Sequence, residues 1–479
     1  MRYKGFIGPS YTSQALVADA ERTINLYLEA NTSENAKSPA SLEPSPGFQQ
    51  AASVANIGGR AAATMNDRTL FVMGFGVYGI DSNLTATLFG SVALDSNPAQ
   101  IAFNGKLGNQ AGIASGGNLY SLNLTTNVLT SVATLAGKAT MVGMIDGFGI
   151  TLDVPNSRIY VTTINDFTTV DPTQFAARTD APDNWKAMLV NPPDIWLIGS
   201  RTGGVWYDAG SFPFPLAPRP GIQFKYGIVA PFSIAAAGSS VMWLSQTTDG
   251  SGIVVRTRGY QPTRISDYAL ESAINTYQRN SSIDDAESIV FQFKGHTFYV
   301  LRFPMAKAAW VYDVDQNTWV QWGKWNSASM QLDIWQPRVH TFTFGKHLTA
   351  DASTGIISEM SDAFGTELDG TAIVRKRRWG GPFNEMKTVK IRCAEVYLEA
   401  PALVSGLGSD PILEWQTSND GGRTFGNIRQ VKTGKIGKYQ RARFWRMGIP
   451  RDRVNEVTVS DPVPYRFVDC FLNNDGHGA

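Results

Sequence analysis

The side chains that most often hold metals or move protons are scarce in this sequence. Four histidines, His296, His340, His347 and His477, and two cysteines, Cys393 and Cys470, are spread over 479 residues. A zinc site needs ligands at short, fixed spacings so that one turn or strand pair presents them together. No HExxH pair, no HxH pair and no cysteine close enough in sequence to a histidine provides that spacing. Ser/His/Asp catalysis would need a nucleophile on a sharp turn, and there is no G-x-S-x-G elbow; no P-loop and no G-x-G-x-x-G behind a strand would cradle a phosphate. The expectation is a protein without catalysis, cofactor or metal.

Three patterns nevertheless suggest chemistry. Ser418 to Phe425, SNDGGRTF, matches the Asp-box of sialidase propellers, in which Ser418, Asp420, Gly422 and the aromatic Phe425 would pin a hairpin turn. Sialidases carry several boxes on successive blades, with an arginine cluster and a Tyr/Glu pair, so this single copy is expected to be a structural turn. Asp313, Asp315 and Asn317 resemble the start of a calcium loop, but Thr318 and Lys324 occupy the positions of its glycine and final glutamate, and a turn is expected there as well. Arg375, Lys376, Arg377 and Arg378 form a basic run, and Lys432, Lys435, Lys438, Arg441, Arg443, Arg446, Arg451 and Arg453 form a looser one. Cations at this density gain affinity for a polyanion by releasing its counterions. Arg375, Lys376, Arg377, Arg378, Lys435, Lys438, Arg441 and Arg443 are therefore candidate assembly or DNA-facing contacts. Because Arg441 and Arg443 alternate with Ala442 and Phe444, the same pattern also describes the solvent face of one strand.

Such residues need sheets to hold them. From Asp194 to Gly210, DIWLIGSRTGGVWYDAG, a short apolar run, a Gly/Arg/Thr turn and a run rich in β-branched and aromatic residues read as a β-hairpin. The same phrase begins near Leu70, Gln110, Gly147, Ser239, His296 and His347, and the seven starts lie 37 to 57 residues apart. Propeller blades take about 40 to 50 residues each. The predicted fold is thus all-β, an irregular six- or seven-bladed β-propeller over residues 69–370. Residues 1–68 read as an extended N-terminal arm, polar and Ser/Pro-rich from Asn31 to Pro46, with the strand that leads into the propeller. Residues 371–479 hold five closely spaced strand candidates and read as a C-terminal β-sandwich. That segment carries a net charge of +7, against −6 for residues 1–370.

Composition fits many turns and packed sheets, with 46 glycines, 11% aromatic residues and 17% charged residues, the last below the roughly 25% of an average globular protein. A chain of this size needs no staple, so Cys393 and Cys470 are expected as buried free thiols in a reducing compartment. The opening MRYKGFIGPSYTSQ has no apolar run behind its basic residues, and no secretion signal is expected. Tyr226 to Thr248 lacks charge, but Pro231, Gly238, Ser239 and Ser240 interrupt it, and no membrane span is expected.

The N-terminal INLYLE and LEPSPGF, the central WLIGSRTGGVWYDAG, and SNDGGRTFGNIRQVKTGKIGKYQRARFWRMGIPRDRVNEVTVSDPV resemble, in the same order, the packaged-DNA stabilisation proteins of short-tailed bacteriophages, also called tail accessory, hub or nozzle proteins. The resemblance implies a structural protein of the virion tail, assembled in the bacterial cytoplasm and present as six copies in a ring below the portal and adaptor. It implies closure of the DNA exit channel, support for a needle, tailspikes or fibres, and transient contact with passing DNA. No catalytic residue carries over with it. The competing reading from the residues alone is a sialidase-like or glycan-binding propeller acting at a host surface.

Overall fold

In the computed structural model, which describes residues 2, 3, 5–65, 67–382, 385, 387–399, 407–434 and 440–474, each of the seven hairpin phrases forms the second and third of four antiparallel strands that make one blade, the sixth blade being continued by further strands. The middle strands are packed between neighbouring blades on both faces, which is why they read as continuous apolar runs. Ile195, Trp196, Leu197 and Ile198 are all buried, as are Val241, Met242, Trp243 and Leu244. Asx turns end several of these strands. Asp81 accepts from the Asn83 and Thr85 amides, Asn123 from Thr125 and Thr126, Asp313 from Asp315 and Gln316, and Asp351 from Thr354.

The innermost strands, from Gly59–Met65 in the first blade to Pro337–Thr343 in the seventh, touch in sequence order around one axis. The seventh returns to the first, where the Thr64 and Thr341 hydroxyls lie 2.7 Å apart. The propeller therefore has seven blades, which decides between the six and seven that the sequence allows. Its last blade takes only three strands from its own stretch of chain; the fourth, Gly47–Ser53, comes from the N-terminal part and pairs with Ile356–Ser361. Closing a ring with strands from both ends of the chain ties the circle by backbone hydrogen bonds as well as by side-chain packing.

The N-terminal residues do not form the expected arm. Ala20–Ile24 joins Arg375–Gly380, Val454–Val459, Ile412–Ser418 and Arg429–Lys432 in one face of the sandwich, and Leu26–Ala30 and Ala40–Pro44 join Arg466–Asn474, Ile391–Glu399 and Gln440–Gly448 in the other. Asn25 makes the crossing between faces. It takes φ 54, a left-handed conformation that asparagine tolerates. Its side chain accepts from the Gly323 amide at 2.8 Å and donates to the Gly323 and Val374 carbonyls at 2.8 and 2.9 Å. Ala20–Ile24 also pairs in parallel with the outer strand of the sixth blade at Ile24 and Gln321, so one continuous sheet runs from propeller into sandwich.

The sandwich core is aromatic. Trp379 and Trp415 meet edge to face at 5.2 Å, and Phe6 packs on Trp379 at 4.8 Å. Leu26, Leu42, Val457, Val459 and Phe467 fill the space around them. The helix Tyr268–Asn280, capped by the Asp267 carboxylate on the Leu270 amide, buries Leu270 and Ile274 against the fifth and sixth blades. No helix among the described residues is long and apolar enough to cross a membrane.

Candidate interaction surface

The basic run Arg375–Arg378 lies on a strand, and alternation sends its side chains two by two to opposite faces. Arg375 and Arg377 are fully buried. Arg377 donates to the carbonyls of Gly5, Phe6 and Pro9 at 2.5, 2.7 and 2.9 Å and to the Thr23 hydroxyl at 2.9 Å, and pairs with Glu21 at 2.6 Å. Arg375 donates to Val463 O at 3.0 Å and to Ser45 O at 3.4 Å, and burial pushes its guanidinium down to about 10. Beside it, burial pushes the Glu367 carboxyl up to about 8, with Arg375 opposing the shift. On the other face, Lys376 and Arg378 share Glu456 at 3.2 and 2.7 Å. Burial raises the Glu456 carboxyl, but Arg378 and Lys376 outweigh it and hold the group low. Lys376 also lies 3.8 Å from the Trp325 ring centroid. Arg375, Lys376 and Arg377 are thus buried rather than open to DNA or a partner as expected, while Arg378 is partly exposed and tied to Glu456. The two buried guanidiniums direct most of their donors at the N-terminal segment and the sandwich, and Lys376 reaches Trp325 beyond the sixth blade.

The Asp-box is a turn. Ser418 Oγ donates to Asp420 at 2.6 Å and accepts from the Gly422 amide at 2.9 Å; Asp420 also accepts from the Arg423 and Thr424 amides at 3.0 Å. Hydrogen bonds from Ser418 and Thr424 hold the Asp420 carboxyl well below the usual range. Gly421 and Gly422 take φ 74 and 87, which a side chain would strain.

The remaining chemical residues are scattered through the framework. His296 pairs with Asp313 at 2.7 Å, which raises its pKa, while His340 and His347 lie 3.0 Å apart in the seventh blade and burial lowers both. Cys393 and Cys470 are free and buried. Among the described residues no three His, Cys, Asp or Glu side chains converge as a metal site. At one mouth of the propeller axis Glu287 pairs with Arg302 and Arg338, and Arg60 with Asp95. Glu287 thereby joins the sixth blade to the seventh, and Arg60 ties the first blade to the linker that follows it. Lys435, Lys438 and His477 lie outside the described residues.

Arg441 and Arg443 do reach the outside. They stand on the outer face of the strand Gln440–Gly448, where both approach Glu395, at 3.5 and 2.8 Å. Beyond them the strand bulges: Cys393 pairs with Trp445 and Ile391 with Gly448, so Arg392 faces both Arg446 and Met447. Arg446 takes φ 57 there. Arg429 holds the bulge by donating to the Trp445 and Arg446 carbonyls at 2.9 and 3.0 Å. The result is an open cleft of about 720 Å³ lined by Lys390, Ile391, Arg392, Trp445, Arg446, Gly448 and Ile449. Trp445 is 53% exposed and Ile449 60%. Sequence reading passed over Lys390 and Arg392 because only the bulge brings them beside Trp445.

A family model described as phage stabilisation, "Bacteriophage P22 Gp10, beta-propeller", matches residues 18–364. No curated protein matches the chain. Among solved structures, a streptogramin B lyase is similar at 11% identity and TM-score 0.40 over 70% of this chain and 98% of its own. PorZ of the type-IX secretion system of Porphyromonas gingivalis is similar at 10% identity and TM-score 0.38 over 81% of this chain, which spans 46% of PorZ. An exo-β-1,3-galactanase from Phanerochaete chrysosporium is similar at 7% identity and TM-score 0.29 over 88% of this chain and 99% of its own.

Proposed function

The chain belongs to the phage-stabilisation family described by the bacteriophage P22 Gp10 propeller, and from that membership we propose that it is a structural protein of the tail of a short-tailed phage that acts without catalysis. In this reading several copies, six by the sequence resemblance, form a hub or nozzle ring below the portal and adaptor. The ring closes the channel, retains packaged DNA and carries a distal needle, tailspikes or fibres.

The observation that carries the reading is the family match from residue 18 to residue 364. It spans the whole propeller and reaches the strands Ala20–Ile24 and Leu26–Ala30 of the sandwich. The architecture supports it. A ring that holds pressurised DNA needs subunits that do not flex, and here the chain passes from sandwich to propeller and back, with one sheet continuous through both. The buried arginines spend their charge on internal clamps, as suits a subunit that must keep its shape under pressure.

The test uses filled capsids that carry portal and adaptor but lack this protein. Added chain should bind saturably and reduce DNA leakage, and electron microscopy of the product should show a ring below the adaptor. Capsids that bind none of it and leak unchanged would overturn the reading.

A further inference from the structure

We propose that the mouth of the propeller axis binds a second copy of this chain by taking in the Lys106–Leu107 tip of the neighbour's second blade. The mouth is an open cavity of about 580 Å³ with an apolar rim, where Ile57, Leu94 and Met305 are each more than half exposed and Phe232 lies among them. The arginines that line it are already matched, Arg60 by Asp95, and Arg302 and Arg338 by Glu287. Asp284 and Asp285 line the same cavity, and neither is ion-paired among the described residues. Asp285 Oδ2 accepts from the Met305 amide at 2.7 Å, but Oδ1 is buried without a hydrogen-bond partner, and burial raises the pKa of the group. A carboxylate held in this way beside apolar side chains is satisfied best by a cation carried on an apolar body.

The tip has the complementary chemistry. The innermost strand of the second blade, Gln100–Phe103, runs from the linker that carries Leu94 to the turn at residues 104–109, so mouth and tip lie at opposite ends of the propeller. Leu107 is 88% exposed there, and Lys106 beside it is exposed and makes no ion pair among the described residues. The turn itself is fixed. Asn104 accepts from the Gln110 amide at 2.7 Å and donates to the Asn165 carbonyl at 2.9 Å, and Asn109 closes the turn with φ 49. A turn already ordered in this way gives up little freedom when it docks. Two different surfaces at opposite ends make the contact heterologous, and copies joined by such a contact close into a ring when the rotation between neighbours allows it. The choice of a second copy rests on the ring proposed above, whereas the match of charge and apolar surface rests on the mouth and the tip alone.

Leu107→Cys and Met305→Cys in one full-length chain, treated with a short bismaleimide, test this on capsids that carry portal and adaptor and on concentrated free chain. Cys393 and Cys470 are buried and should stay unmodified. Covalent multimers should form, and mass spectrometry should find residue 107 of one copy joined to residue 305 of the next; either substitution alone should give none. Lys106→Glu should lower the cross-linked fraction about tenfold, and Asp284→Lys in the same chain should restore it. Phe212→Ser removes another exposed tip at the same end, one without a cation, and should change nothing. All of these side chains are exposed, so the thermal transition should stay at its wild-type position. The inference is overturned if residues 107 and 305 are joined in neither preparation, or if Lys106→Glu behaves like Phe212→Ser. Rings that form on capsids without that link would also overturn it, since the copies would then meet through other faces, and would leave the structural reading standing. Capsids that bind no chain count against the structural reading, and the free chain then decides this one.

Discussion

The guanidinium carbon of Arg378 lies 4.6 Å from the ring centroid of Phe425. One residue ends the basic run and the other ends the Asp-box, so two sequence patterns that suggested nucleic-acid binding and glycan chemistry meet in a single packing contact. The Arg378 side chain is only 20% exposed and pairs with Glu456 at 2.7 Å. A partly desolvated cation on an aromatic face contributes about 0.5–2 kcal/mol. A double-mutant cycle of Arg378→Met and Phe425→Leu, followed by urea denaturation, should give a coupling of about 1 kcal/mol. A coupling indistinguishable from zero would mean that the two residues merely adjoin.

Arg377 and Arg441 should behave very differently although both are arginines of the C-terminal segment. Arg377→Met leaves Glu21 unpaired and three carbonyls of residues 5–9 without a donor. Breaking a buried charge pair in this way costs about 3–5 kcal/mol. Arg441→Ala removes a pair whose arginine side chain is 61% exposed, and exposed pairs contribute at most about 1 kcal/mol. Denaturation midpoints should therefore fall steeply for the first and hardly move for the second. Equal effects would contradict the assignment of Arg377 as an internal clamp.

The sequence made the propeller legible through its middle strands. Ile195–Ile198 and Val241–Leu244 are buried on both faces, so their composition shows through whatever the loops do. The outer strand of the seventh blade was hidden because the hydrogen-bond partners of Gly47–Ser53 lie some three hundred residues downstream. The arm reading failed for a related reason. Asn31 to Lys37 is an exposed hairpin tip, and its polar character masked the strands on both sides. Charge alone misplaced Arg375–Arg378, since a run of cations looks alike whether its partners are solvent or the buried carbonyls of Phe6 and Val463. The cleft at Trp445 depended on a register shift, which leaves no periodic mark.

Glu367 should give the protein a stability that falls with rising pH. Its carboxyl is buried beside Arg375 and Asp369 and is pushed from 4.5 to about 8. The folded state then holds a proton that the unfolded state releases. Stability is fully present below about pH 4.5, declines as pH climbs toward 8 and levels off above it. Glu367→Gln keeps the shape without the titration and should remove that part of the decline, so that the variant is the more stable form at pH 9. Parallel stability profiles for both proteins between pH 5 and 9 would show that the carboxyl is ionised in the fold throughout.

The closing strand of the propeller should be sensitive at Gly47. A β-carbon there would lie 2.3 Å from the Phe364 carbonyl oxygen and 2.6 Å from its carbon, atoms that belong to backbone and cannot swing aside. Gly47→Ala must therefore displace the start of the strand from the Phe364–Gly365 backbone, at a cost of about 1–3 kcal/mol, whereas Gln49→Ala on the exposed side of the same strand should cost within about 0.5 kcal/mol. The consequence extends beyond one blade. Gly47–Ser53 follows directly on Ala40–Pro44 of the sandwich, so loosening it frees the ring closure and the link between the two parts at once. Limited proteolysis should accordingly cut Gly47→Ala between residues 44 and 58 sooner than wild type while leaving the middle blades intact. Cutting that starts instead in the exposed loops of the middle blades would show that the ring is held by side-chain packing alone.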